Sequence, residues 1–364
     1  MGMGRQRTDG GLVPERSGEP RLYAAIMPNA KLCYVDDALP GITRKRRGRY
    51  WQYFDAKGNR VTDRDEIDRL NRIGLPPAYR DAWFCPSPHG HIQAIGWDEK
   101  GRKQYRYHVD FRARQEAAKY DLCASFGRAL PLLRARIESD MAGRKLSRDT
   151  VVATVVKLLD VGAIRVGNMA YAKANNSFGA TTLQDRHVEV KGKTLKMRFK
   201  AKSGKLRELK ITDHGLARMV KKCQDLPGQH LFQFIDEEGE QRPVSSTDVN
   251  DYIRDAMGED FTAKHFRTWG ASTIAFEQLC AAGEEGLTLK QMLEPVAEAL
   301  GNTPAISRKS YVHPALIDAV KDSRYFAARV SCPRATKYLS SAERGLIEFL
   351  DTGLPAKAKS NKAA

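Results

Sequence analysis

Residues 187–212 read HVEVKGKTLKMRFKAKSGKLRELKIT. Apolar side chains fall on alternate positions, at Val188 and Val190 and then at Leu195, Met197 and Phe199. That is the period of a strand with one face buried. Lys191-Gly192-Lys193 and Ser203-Gly204 supply turns, so the stretch predicts a small antiparallel sheet. Its neighbours follow a different period. RARQEAAKYDLCASFGRALPLLRARIESDM and SRDTVVATVVKLLDVGAI, before it, carry apolar residues at helical spacing, and Ser147 with Asp149 suits a helix start. After it, TDVNDYIRDAM, AKHFRTWGASTIAFEQLCAA and TLKQMLEPVAEALG return to the helical period. Residues 111–330 therefore read as a mainly helical domain with one embedded β-hairpin or three-stranded sheet.

Residues 21–110 differ in character, being rich in aromatic and β-branched residues broken by turn signals. RGRYWQYFDAKGNRVTD predicts a strand, a turn at Lys57-Gly58-Asn59 and a second strand. HIQAIGWDEKGRKQYRYHVD repeats the form, turning at Glu99-Lys100-Gly101. Between them DRDEIDRLNRIGLPPAYRDAW predicts a short helix stopped by Pro76-Pro77. The expected fold class is α+β, a small β-rich N-terminal domain followed by the larger helical one. Residues 1–20 are polar, lack an apolar signal core and read as a disordered leader. Residues 331–364 read as a helix near 342–350 and a basic flexible tail ending PAKAKSNKAA. No internal repeat stands out.

Lys and Arg number 61 against 44 Asp and Glu, a formal charge of +17 over 364 residues. A surplus of that size attracts a polyanion, and nucleic acid is the commonest one. The hydrophobic fraction of 41% suffices for real cores, and no run of about 18 apolar residues predicts a membrane span. Cys33, Cys85, Cys123, Cys223, Cys280 and Cys332 lie far apart in a chain without a secretory signal, a pattern that suits reduced cytoplasmic thiols. CPSPHGH gathers Cys85, His89 and His91, but the spacing matches no standard metal site, so neither metal nor cofactor is expected.

Basic and aromatic residues interleave twice. TRKRRGRYWQYF sets Arg46 and Arg47 within a basic run beside Tyr50, Trp51 and Tyr53. GRKQYRYH places Lys103, Gln104, Tyr105, Arg106 and Tyr107 on one strand, with Gln104 and Arg106 on one face and the two tyrosines on the other. Such patches read equally as phosphate- and base-contacting surfaces or as solvated strands with cross-strand aromatic packing.

SRKSYVHP raises a separate question, because Tyr311 ends a basic, hydroxyl-rich segment. A phenol of ordinary pKa near 10 needs cationic help to act as a nucleophile at neutral pH. If its target is a phosphodiester, arginines suit the charge of the transition state, and a lysine can protonate the leaving alkoxide. Candidates are Arg165 at a helix end, Lys202 at a hairpin tip, Arg267 on a helix whose other face looks like core, and Asn302, nine residues before Tyr311.

Taken in order, these segments resemble the type IB DNA topoisomerases, in particular the compact bacterial and poxvirus-like group. IRVGNMAYAKANNSFGATTL resembles the family's first arginine motif, which puts its catalytic arginine on Arg165 and its phosphate-contacting tyrosine on Tyr171. FKAKSGK resembles the hairpin of the general-acid lysine, at Lys202. KHFRTWGAS resembles the second arginine motif, at Arg267, and SRKSYVHP the nucleophile motif, at Tyr311. GRKQYRYH resembles the strand that reads DNA through Gln104, Tyr105 and Tyr107, and LPPAYRDAW is also family-like. The likeness spans roughly residues 30–325. One departure stands out: poxvirus and eukaryotic members carry histidine where this chain has Asn302, whereas bacterial relatives can carry asparagine.

The resemblance implies an enzyme that acts on double-stranded DNA as a cytoplasmic, nucleoid-associated monomer. It would clamp the duplex between two domains, cut one strand through a 3′-phosphotyrosyl link, let the strand rotate and reseal it without ATP or metal. Two rivals stand beside it. A tyrosine recombinase shares the catalytic ancestry, but its histidine three residues before the second arginine is Lys264 here. A non-enzymatic basic DNA-binding protein explains the charge but not the ordered set of Arg165, Lys202, Arg267 and Tyr311.

Overall fold

The computed structural model describes residues 32–143, 145–282, 286–321 and 331–352. The leader read at 1–20 and the basic tail lie outside the described residues. The chain divides into two compact units, Met1–Gln115 and Glu116–Ala364.

The first unit holds β1 (Ile42–Arg47), β2 (Tyr50–Phe54), α1 (Arg64–Arg72), β3 (Arg80–Phe84), β4 (Ile92–Trp97) and β5 (Lys103–Tyr107). The strands form one antiparallel sheet in the order β2-β1-β3-β4-β5. Ile42, Tyr53, Leu70, Leu75, Phe84 and Ala94 make its core. Asp63 caps α1 by accepting from the Asp65 N–H. The helix ends at Ile73 and Gly74, before the prolines. The β4–β5 hairpin forms as the sequence predicts, but the first hairpin does not. The turn after Phe54 exists, because the Asp55 carboxylate accepts from the N–H groups of Lys57 and Asn59. It leads only to a single bridge, Phe54 to Arg60. The true partner of β2 is β1, in the register Arg46 to Trp51.

α2 (Val109–Asp121) runs through the division between the units. Next come α3 (Cys123–Ala142), α4 (Arg148–Gly162), α5 (Met169–Asn175), β6 (Val188–Lys191), β7 (Thr194–Lys200), β8 (Leu206–Thr212), α6 (His214–Gln224), β9 (Gln233–Ile235) and β10 (Gln241–Pro243). They are followed by α7 (Ser246–Met257), α8 (Ala263–Ala282), α9 (Leu289–Leu300), α10 (Pro304–Ser310), α11 (Pro314–Lys321) and α12 (Ser341–Thr352). β6, β7 and β8 pair in sequence order as the sheet expected in a helical domain, and the fold is α+β.

α4 organises this unit. Ser147 caps it by accepting from the Thr150 N–H. Val151, Val152, Val155, Val156, Leu158 and Leu159 are buried all round it, so truncating one of the leucines to alanine costs about 2–5 kcal/mol. Its C-terminal end, where Ala163 turns into the left-handed region, delivers Arg165.

One reading needs correction. Cys280 of α8 and Cys332 are joined by a disulfide across 52 residues, while Cys33, Cys85, Cys123 and Cys223 are free. Spacing hid the pair because only the fold returns the segment before α12 to α8, where Phe349 also packs on Phe276 at 5.8 Å. Among the described residues no helix is long and apolar enough to cross a membrane.

Candidate active site

Tyr311 caps the C-terminal end of α10, its N–H donating to the Ser307 carbonyl at 3.0 Å. Its backbone is held by α8. The buried Ser272 Oγ accepts from the His313 N–H at 3.0 Å and donates to the Tyr311 carbonyl at 3.5 Å. The half-buried Tyr311 ring faces cations. Arg165 Nη2 donates to its hydroxyl at 3.4 Å, and the Arg267 guanidinium lies 4.8 Å from the ring centroid. Lys119 Nζ lies 5.6 Å from the same ring and donates to the Ser310 carbonyl. Burial opposes ionisation of the phenol, but the charges of Arg267 and Arg165 outweigh it and hold the Tyr311 pKa below the ordinary tyrosine value.

Arg165 is fixed through its backbone. Its carbonyl accepts from the Ala180 N–H at 2.8 Å. A Cβ on Gly179 would fall 2.6 Å from that carbonyl oxygen and from the Gly167 nitrogen, so the two segments approach this closely only with glycine there. Arg267 is only 5% exposed. It donates to the carbonyls of Ala163 and, at 3.2 Å, Leu300, tying the ends of α4 and α9 together. Burial and then repulsion by Arg165 bring its pKa down to about 10, which leaves it cationic at neutral pH. Asn302 follows α9, and its Oδ1 accepts from Arg165 Nη2 at 3.5 Å. Arg267 Nε and Asn302 Nδ2 are both buried without a hydrogen-bond partner among the described residues. Two unmatched buried donors cost about 1–3 kcal/mol each, an expense consistent with a site made for an anionic acceptor.

The fold thus gathers Tyr311, Arg165, Arg267 and Asn302. Lys202 it leaves exposed at the β7–β8 turn, outside this cluster, beside Ser203 at φ +65. His313 is half-buried, edge-on to Tyr120 at 5.5 Å, its Nδ1 accepting from the Ala315 N–H. Sequence alone gave no sign of Lys119, Ser272 or Arg207, whose partners are distant in the chain.

In the first unit Tyr105 and Tyr107 are 41% and 47% exposed and stack with centroids 5.8 Å apart. Their neighbours on β5 are tethered. Lys103 pairs with Asp37, Gln104 Nε2 donates to Asp98 at 3.1 Å, and Arg106 Nη2 donates to the Gly74 carbonyl at 3.2 Å. Arg46 donates to the Gly48 carbonyl at 3.3 Å and Arg47 is exposed. Tyr171 on α5 is 50% exposed, and its N–H donates to the Asn168 side chain.

A phenol with a depressed pKa, two guanidiniums and an amide whose Nδ2 lacks a partner among the described residues, carried on an α+β fold, form a site suited to an anionic ester. The family described as eukaryotic DNA topoisomerase I, catalytic core, matches residues 108–328. The one described as bacterial DNA topoisomerase IB, N-terminal domain, matches residues 50–98. DNA topoisomerase 1B of Acanthamoeba polyphaga mimivirus is 31% identical over 75% of this chain and 85% of its own length. DNA topoisomerase 1B of vaccinia virus is 22% identical over 64% of this chain and 73% of its own. Among solved structures, a XerH site-specific recombinase bound to its difH substrate overlaps 53% of this chain and 51% of its own, at 15% identity and a TM-score of 0.34. The chain belongs to the type IB DNA topoisomerase family.

Proposed function

We propose that Tyr311 is the nucleophile of this enzyme, that Arg165, Arg267 and Asn302 stabilise the phosphate under attack, and that Lys202 protonates the leaving oxygen. The chain is a type IB topoisomerase. It relaxes supercoiled duplex DNA by cutting one strand, holding the 3′ end as a phosphotyrosine, allowing rotation and resealing. Phosphodiester energy is kept in the tyrosyl link, so resealing consumes no ATP. One observation carries the residue assignment: the hydroxyl of Tyr311 sits against Arg165, beside buried Arg267 and Asn302 donors that lack partners among the described residues. Donors already in place act on developing charge without reorganising. An amide at Asn302 donates to a non-bridging oxygen but brings no charge, so the arginines carry the electrostatic part.

Residues 21–110 are read as the domain that grips DNA and 111–330 as the catalytic domain. Tyr105, Tyr107, Gln104, Arg106, Lys103, Tyr171, Arg46 and Arg47 are the duplex contacts. Single-strand cutting needs one copy of the site, so the enzyme acts as a monomer. The match to a bacterial N-terminal domain supports a bacterial protein, and DNA as the substrate is what supports a cytoplasmic, nucleoid-associated location.

Plasmid relaxation in EDTA without ATP, followed by peptide mass mapping of the trapped covalent complex, tests the assignment. Wild type forms an adduct on the peptide containing Tyr311. The Tyr311→Phe variant binds DNA and forms none, and an adduct persisting in that variant moves the nucleophile elsewhere.

A further inference from the structure

Arg207 has no part in the roles above. It lies on β8, half-buried, five residues past Lys202. Its guanidinium donates to the carbonyls of Glu298, at 2.9 Å from Nη1, and Ala299, from Nη2. Arg267 Nη2 takes the next one, Leu300. These belong to the last turn of α9, where carbonyls lack the N–H four residues on that a helix interior supplies, the Glu298 carbonyl also accepting from the Gly301 N–H at 3.1 Å, and where the helix dipole favours cations. The chain then reverses through Gly301 at φ +63, and the Asn302 N–H donates back to the Ala297 carbonyl at 2.9 Å. A Cβ on Gly301 would lie 3.2 Å from Arg207 Nη1 and 3.4 Å from its Cδ, so the arginine stem rests directly on the turn. Burial and the nearby charge of Arg165 hold the Arg207 pKa below its ordinary value. The side chain keeps its place against that repulsion through the two carbonyls.

We propose that Arg207 is a positioning residue that clamps the C-terminal turn of α9 and so sets where Asn302 presents its amide beside Arg165 and Tyr311. The inference rests on the reading of Asn302 as a phosphate-stabilising group. Asn302 comes two residues after the last helical residue of α9, so loosening that turn displaces its side chain first. Displacements of about 1 Å in a catalytic constellation cost about 100-fold in the extreme.

Single-turnover cleavage of a suicide duplex tests it, using the full chain as wild type, Arg207→Ala, Asn302→Ala and the double variant. Equilibrium binding to the same duplex is measured on each in the Tyr311→Phe background. If Arg207 acts through Asn302, either single change slows cleavage about tenfold and the double is no slower than Asn302→Ala alone, because coupled residues are not additive. Binding stays within about twofold of wild type, and Arg207→Lys, which keeps one cationic donor, recovers part of the rate. A double variant slowed by the product of the two factors overturns the proposal, and so does affinity that falls in step with rate, which would make Arg207 a phosphate contact. Wild-type cleavage by Asn302→Ala overturns the underlying reading of Asn302 and this inference with it, an outcome distinct from additivity. If Arg207→Ala melts below the assay temperature, the same cycle is run with Arg207→Lys; wild-type cleavage by that variant likewise overturns the proposal.

Discussion

At the scale of single residues the central quantity is the ionisation of one phenol. Burial alone would raise the Tyr311 pKa, and the charges of Arg267 and Arg165 reverse the effect. A phenol with a lowered pKa loses its proton at lower pH. In the DNA-free enzyme the absorbance titration of wild type minus Tyr311→Phe therefore shows one group ionising below the ordinary value of about 10. In the Arg165→Ala background the same difference curve moves to higher pH, because one lowering charge is gone. Identical midpoints in the two backgrounds would show that Arg165 has no hold on the phenol. Tyr311, Arg165 and Arg267 were legible in the sequence through the resemblance of their segments to a known family's motifs, and Asn302 through its place nine residues before Tyr311; the residues alone left the two arginines as candidates among 61 lysines and arginines. Arg207 was not legible. It sits in an alternating strand like any solvated arginine, and the carbonyls it binds lie 91 and 92 residues further along the chain.

At the scale of elements, α8 depends on a helix the family match does not reach. The match ends at residue 328, yet Glu343 of α12 accepts from Trp269 Nε1 of α8 at 3.0 Å and from Arg134 Nη2 of α3 at 2.7 Å. Burial opposes ionisation of Glu343, but the bonds and charge of Arg134, with help from the Ser340 N–H and Trp269, hold its pKa below the ordinary carboxylate value. The pair thus contributes fully above the unfolded value of about 4.3, and the contribution is lost as pH falls through the lower folded one. Glu343→Gln strands the Arg134 charge in part and should lower unfolding stability by about 3 kcal/mol in denaturant titrations near neutral pH, with the difference from wild type shrinking in acid. The Cys280–Cys332 bond closes a loop across the same helices. By chain entropy a closure of that length is worth about 4 kcal/mol. Thiol labelling of the unfolded, unreduced chain should find four groups, rising to six after reduction; six from the start would show the bond absent. Where elements were misread, charge was the cause. β1 is ITRKRR, whose run of cations lacks the apolar alternation of a strand, yet it pairs on both sides within the sheet through its backbone. β6 and β7 were read correctly because each turns alternate apolar residues into a helical core, while β8, whose Leu209 and Ile211 are only partly buried against that core, followed from the turn at Ser203-Gly204.

At the scale of the molecule, a formal charge of +17 meets a polyanion that sheds counterions when it is neutralised. Binding of the Tyr311→Phe variant to a short duplex should therefore weaken by about 1,000-fold or more between 50 and 200 mM salt if at least six phosphates are contacted. Net charge alone does not name the contacts, and the β1–β2 hairpin shows why. Arg47 is exposed and free to meet a phosphate. Arg44, three residues earlier, instead lies 4.1 Å from the Trp51 ring centroid and donates to the carbonyls of Leu75 at 2.8 Å and Pro76 at 2.6 Å. Burial holds its pKa below the ordinary arginine value. Arg47→Gln should reduce the log–log salt slope by about one, the signature of a lost phosphate contact, and leave the melting temperature near wild type. Arg44→Gln should do the reverse, lowering stability by about 1–3 kcal/mol through lost charged hydrogen bonds while the slope holds. If the two substitutions change the salt slope equally, the tethered arginine contributes as much as the exposed one, and the duplex is held by the total charge of the surface with no selection among its arginines.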